Sequence, residues 1–335
     1  MITSIVLTVH NAVNQAFFMG FLFLISGYFT AVSYDRKGPR RFLRDRLLRL
    51  GIPLLCYDFF IQPLLAYPLM QVGALEFDGS YREFLTMYYS SFHIGTGPLW
   101  FVEALLIFAV FYVLWRVLVR STVSPGQSDS KIPGYITISI FALALGAVTF
   151  VVRIWLPIGW AFGPLNLQFP FFPQYIGLFI IGTVAYRKNW FMRIPDAMGR
   201  LWLIIAIIFI VILMPILHVL GGASGDISPF MGGFHWQCFA YAVWEQFVGV
   251  AMIISLLVLF RNRFNRQGKA AKAMSASSYT AYIVHAPVLV LLTLAIRNIT
   301  LYPLLKFALA GPIAILLCFA LGNFIRQLPL ARQIL

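Results

Sequence analysis

Apolar runs of about twenty residues, separated by short polar punctuation, set the pattern of this chain. Nine runs qualify, at roughly 14–32, 48–70, 98–119, 135–155, 172–187, 200–220, 236–260, 278–297 and 301–325. A helix crossing the hydrocarbon layer needs about 20 mostly apolar residues. The run at 172–187 is the shortest. Turn-forming stretches such as SPGQSDSKIPG (124–134) and GGASGDISPFMGG (221–233) lie between them. The pattern predicts an all-α, polytopic membrane bundle of about nine transmembrane helices.

Composition supports lipid as the solvent. Of 335 residues 61% are hydrophobic and only 11% charged, against about 25% charged in a soluble domain. The net charge of +14 does not indicate nucleic acid, because that reading needs a basic face on a water-exposed surface. Here the basic residues fall in bursts between apolar runs, as membrane topology requires. Of 25 Lys and Arg, 21 lie in one alternate set of segments: 35–53, 116–131, 187–200, 261–272 and beyond 325. The opposite set holds four, Arg82, Arg153, Arg297 and Lys306. The positive-inside rule then places the basic loops and the C-terminus in the cytoplasm. Cys56, Cys238 and Cys318 lie in apolar runs at unrelated spacings and fit neither a disulfide framework nor a metal motif.

The densest burst is DRKGPRRFLRDRLLRLGIP (35–53), with seven positive charges in nineteen residues, six of them Arg. Gly38-Pro39 reads as a turn and helix start, and Gly51 with Pro53 as a stop. Leu43, Leu47 and Leu50 form a narrow apolar stripe, while Arg40, Arg41, Arg44, Arg46 and Arg49 cover the rest of an interfacial helix. Two readings stand. Topology and anionic lipid headgroups require positive charge here, whereas the planar fork of Arg also suits a phosphate site for a donor such as coenzyme A.

Ionisable groups inside spans are costly and mark function by default. Asp58, Glu103, Glu245 and His285 are the candidates, and together they suggest a shared polar cavity. A structural reading stands beside each: a carboxylate bonded to a neighbouring helix, or a histidine satisfying carbonyls freed by Pro287. Ser278, Tyr282 and His285 share one helical face, and Tyr241 and Gln237 stack above Glu245. Gly20 and Gly27 fit close helix contact. His10, His93, His218 and His235 fall on or near the outer side and read as loop or interface residues. No HExxH-like spacing makes them metal ligands.

FFMGFLFLISGYFT, then DRKGPRRFLRDRLLRLGIPLL, GPLWFVEALLIF and SSYTAYIVHAPVLVL, resemble in order and spacing the signature blocks of acyltransferase family 3. The closest branch is the one that includes glucan biosynthesis protein C, which modifies periplasmic glucans with succinyl groups. The resemblance covers essentially the whole chain, 1–335, as one transmembrane acyltransferase domain. It implies a bacterial inner-membrane enzyme that takes an acyl group from cytoplasmic acyl-CoA to a hydroxyl of an extracytoplasmic glycan, with no permanently bound cofactor and no metal. It further implies that Arg40, Arg41, Arg44, Arg46 and Arg49 hold coenzyme A phosphates. His285, Glu245 and Glu103 become the catalytic candidates. Ser26 and Gly27 match the family's SG element, and Trp100 opens its WF block.

One departure from the family pattern carries an expectation of its own. The family's general base is a histidine late in an initial helix that opens with arginine. Here no arginine precedes Arg36, and nine residues precede His10. We therefore expect that helix to be absent, through a late start or a shortened and inactive form; restoring it would give ten spans with both termini cytoplasmic. His10 as a substitute base stays open. Two further classes remain: a secondary transporter, for which midplane charges are also expected, and a membrane assembly protein without chemistry.

Overall fold

The structure, a computed structural model, describes residues 2–72, 77–90, 97–119, 131–163, 165–223, 225–329 and 331–334. His93 and residues 124–130 of the 124–134 turn lie outside them. Among the described residues eight helices are long and apolar enough to cross a membrane. They are α1 (Val6–Gln71), α2 (Gly97–Val119), α3 (Tyr135–Trp155), α4 (Phe169–Arg187), α5 (Asp196–Leu220), α6 (Trp236–Arg263), α7 (Lys269–Ala295) and α8 (Pro303–Gln327). The fold is the expected all-α polytopic bundle. The count differs from nine because α1 holds both of the first two apolar runs. Gly38, at φ 74° and ψ 170°, interrupts its helical backbone between them, a conformation essentially reserved for glycine.

Proline controls the finer shape of these helices. Among the described residues three π-helical turns occur, Leu47–Gly51, Tyr57–Ile61 and Phe209–Leu213. Each ends two residues before a proline: Pro53, Pro63 or Pro215. A proline inside a helix donates no N–H to the carbonyl four residues back, and its ring crowds that carbonyl. Widening the preceding turn relieves the clash and leaves carbonyls free, which lipid cannot satisfy. Aromatic donors take them instead. The Tyr279 hydroxyl donates to the Arg49 carbonyl at 2.8 Å, and that of Tyr89 to the Phe59 carbonyl at 2.7 Å. These are the carbonyls four residues before Pro53 and Pro63. Trp244 Nε1 donates to the Phe209 carbonyl at 2.8 Å.

The chain packs as two compact units. The first comprises 1–39, 116–162 and 168–266, and α6 is its core, packed on both α3 and α5. Lipid gives helices no hydrophobic reason to associate, so small residues and hydrogen bonds hold them. Gly27 of α1 and Gly182 of α4 make a reciprocal contact. A Cβ on Gly27 would lie 2.1 Å from the Phe179 carbonyl oxygen, and one on Gly182 would lie 2.0 Å from that of Leu24. Gly249 of α6 faces the Ala16 carbonyl in the same way, at 2.3 Å. Gln174 Nε2 donates to that Ala16 carbonyl at 2.7 Å.

The second unit comprises 40–115, 163–167 and 267–335. Its α7 and α8 pack along their length, with Gly322 tight against the Ala281 backbone. The short helix Tyr81–Ser90 opens with a capping box: Ser80 N–H donates to Glu83 Oε2 at 2.7 Å, and Glu83 N–H to Ser80 Oγ at 3.4 Å. The Ser80 N–H and the Ser80 hydroxyl, both donating to Oε2, hold the Glu83 carboxyl below its usual range. In both units large apolar side chains point away from protein. Leu118 is 81% and Phe111 66% exposed, an arrangement that water would penalise and hydrocarbon accepts.

Candidate functional site

In the first unit Glu245 sits in the middle of α6 and is 1% exposed. Its Oε2 accepts from Arg153 Nη2 of α3 at 2.6 Å, and Arg153 is 0% exposed. Arg153, counted by sequence among the four outer cations, is thus the partner that a midplane carboxylate needs. The guanidinium lies over the rings of Phe171, 5.1 Å from its centroid, and Tyr241, at 6.0 Å. The pairing is incomplete: Arg153 Nε and Nη1, Glu245 Oε1 and the neighbouring Gln246 Oε1 are buried with no hydrogen-bond partner. Beyond Trp155 the chain turns over α3, where Gly233 N–H donates to the Arg153 carbonyl at 3.0 Å.

The second unit holds Asp58, Glu103 and His285. Asp58 is buried where the π turn opens, and the Tyr88 hydroxyl lies 2.9 Å from its carbonyl and 3.1 Å from Oδ1. Glu103 is buried one turn beyond the half-buried Trp100. His285 is half-buried on α7. Its Nδ1 makes a short contact with the Tyr282 carbonyl. A carbonyl can only accept, so Nδ1 carries the proton and Nε2 presents a lone pair. The Tyr282 ring stacks on the imidazole at 5.4 Å and its hydroxyl donates to the Pro98 carbonyl. The GPLW and YIVH blocks, 184 residues apart, therefore meet. Ser278 lies on the same face of α7, but it is exposed and its hydroxyl turns back to the Ser275 carbonyl.

Five arginines follow Gly38. Arg40, Arg41, Arg44 and Arg49 are exposed, while Arg46 is half-buried and lies over the Phe42 ring at 5.4 Å. The buried stripe runs through Phe42 and Leu50, with Leu43 half-buried, and not through Leu47. Leu47 and Leu48 are 54% and 44% exposed, because the π turn at Leu47–Gly51 rotates the register after Arg46. Ser26 is half-buried and Gly27 is engaged in the α1–α4 contact. Sequence reasoning passed over Arg153, Gln174, Tyr279 and Arg116, whose Nη2 lies 3.4 Å from Asp35 Oδ1. None of them carried a usable signal: Arg153 and Arg116 fall near the ends of apolar runs, where a cation ordinarily reaches for the headgroups.

Among the described residues no group of His, Cys, Asp and Glu could hold a metal ion. The model of a family described as an acyltransferase domain, acyltransferase family 3, matches residues 2–323. No curated protein matches the chain, and no solved structure does.

Proposed function

Since this chain belongs to acyltransferase family 3, we propose that it moves an acyl group from cytoplasmic acyl-CoA to a hydroxyl of an extracytoplasmic glycan in a bacterial inner membrane, the succinylation of periplasmic glucans being the nearest type. The observation that supports this most is the column on α7. Tyr279 binds the Arg49 carbonyl, Tyr282 follows three residues on, and His285 three more. At 1.5 Å per residue the imidazole stands about 9 Å along the helix from the arginine segment. A phosphate-bearing donor held by Arg40, Arg41, Arg44, Arg46 and Arg49 would extend its thioester along that column.

In this reading Nε2 of His285 takes the proton of the acceptor hydroxyl as its oxygen attacks the thioester carbonyl. A C–O bond forms, the C–S bond breaks, and the thiolate of coenzyme A leaves with the proton returned from the imidazole. Glu103, buried on α2, is assigned to the acceptor side of this reaction. Glu245, whose Oε2 is committed to Arg153, is assigned to positioning its unit.

Inside-out vesicles supplied with radiolabelled acyl-CoA test the proposal. Label should reach luminal glycan. His285→Ala should cut kcat at least 100-fold, the smaller end of general-base contributions. Arg40→Gln with Arg41→Gln should raise the KM for acyl-CoA while leaving kcat near wild type. Accumulation of a solute without acylation would replace the enzyme with a transporter.

A further inference from the structure

The first unit contains a second site-like feature that the reaction above does not use. A cavity of about 440 Å³ opens between the start of α1, the 158–171 segment, the end of α5 and α6. Ligand sites commonly span about 300–1,000 Å³ and combine apolar walls with a few placed polar groups. Its polar lining is made of the hydroxyl of Thr8, the side-chain amides of Asn11, Gln15 and Gln168, the phenol of Tyr241 and the imidazole of His218. Among the described residues no Asp, Glu, Lys or Arg lines it. Phe171 and Phe230 supply apolar ring surface.

His218 is held for use as an acceptor. Its Nδ1 lies 3.1 Å from the Met214 carbonyl, so Nδ1 donates and Nε2 keeps its lone pair. The ring is further fixed by stacking on Phe230, with centroids 5.7 Å apart. Amides add donors and acceptors together, so the wall offers both halves of the hydrogen bonds that a hydroxyl makes. Arg153 stands behind two of the lining rings, Phe171 and Tyr241, but its charge is met by Glu245. A charged ligand would lose its hydration here without gaining a partner ion. A ligand rich in neutral hydroxyls would exchange water for matched bonds, with its apolar ring faces against aromatic rings.

We infer that this cavity binds a neutral polyhydroxylated ligand of the sugar class, with Nε2 of His218 accepting one hydroxyl and the amides of Asn11 and Gln15 fixing its neighbours. The identification of that sugar with the acceptor rests on the acyltransferase reading; the binding itself does not. The test is therefore made on the full chain in lipid nanodiscs without acyl-CoA, by saturation-transfer NMR with three neutral disaccharides (sophorose, maltose and trehalose) and with glucuronate as the anionic probe. At least one disaccharide should bind, and better than glucuronate. Gln15→Leu and His218→Phe should each weaken it tenfold or more, while Ser278→Ala in the other unit should not. Asn11→Leu, at an exposed position, reads the same contact should His218→Phe fail to fold. Binding of none of the disaccharides, preference for glucuronate, or variants that melt and bind like wild type would overturn the inference. Loss of acyl transfer with sugar binding intact would instead count against the acyltransferase reading.

Discussion

At the scale of single residues, the decisive finding is that Glu245 is one half of an ion pair. A buried pair is poor evidence of stability, because desolvation consumes much of the attraction, but breaking it leaves an uncompensated charge. Glu245→Gln strands the Arg153 guanidinium, whose Nε and Nη1 already lack partners. Arg153→Met strands the carboxylate. Each single change should cost about 3–5 kcal/mol, and the joint change Arg153→Met with Glu245→Met much less. Melting curves in detergent for the four proteins form the cycle. If the two single losses simply add in the double variant, the pair is not the unit that we describe. Glu245 was legible from sequence as an expensive group in a span; its partner was not. Arg153 falls at the end of an apolar run, where a cation usually reaches for the headgroups. Only the turn of 228–235 over α3 shows that it is enclosed.

At the scale of elements, the helices follow from the apolar runs, and their irregularities follow from proline. The runs alone located every span, since length and hydropathy are local properties. The break at Gly38 was also local, because Gly-Pro after a long apolar run marks a turn. The pairing of each freed carbonyl was not legible, since Tyr279 and Arg49 are separated by 230 positions. This pairing makes a sharp prediction. Tyr279→Phe removes the hydroxyl that serves the Arg49 carbonyl and should cost about 0.5–1.5 kcal/mol, the net worth of one hydrogen bond at an exposed position. Pro53→Ala gives that carbonyl a backbone N–H of its own helix. In that background Tyr279→Phe should be nearly neutral. Equal losses in both backgrounds, read as melting temperatures, would mean that the phenol matters for another reason. The mispredicted apolar stripe has the same origin: an even 3.6-residue period placed Leu47 on the buried face, and the π turn moved it off.

At the scale of the whole molecule, the distribution of cations sets direction, and direction decides what the two units are for. Twenty-one of 25 basic residues in alternate segments predict an orientation by a sum over loops that no single substitution would reverse. If the Arg40–Arg49 segment faces the cytoplasm, Asp226, in the turn before α6, faces the opposite side. Both Arg41 and Asp226 are exposed. Cysteines placed there, in a chain with Cys56 changed to Ser because it too is exposed, should react with a membrane-impermeant maleimide from opposite compartments. In intact spheroplasts Asp226→Cys should label and Arg41→Cys should not; in inside-out vesicles the pattern should reverse. Labelling of Arg41→Cys from outside would remove coenzyme A from consideration, because that donor is confined to the cytoplasm, and with it the route from arginines to His285. The cavity lined by Gln15 and His218 would remain as a sugar site, but on a protein whose acyl donor would have to come from somewhere else.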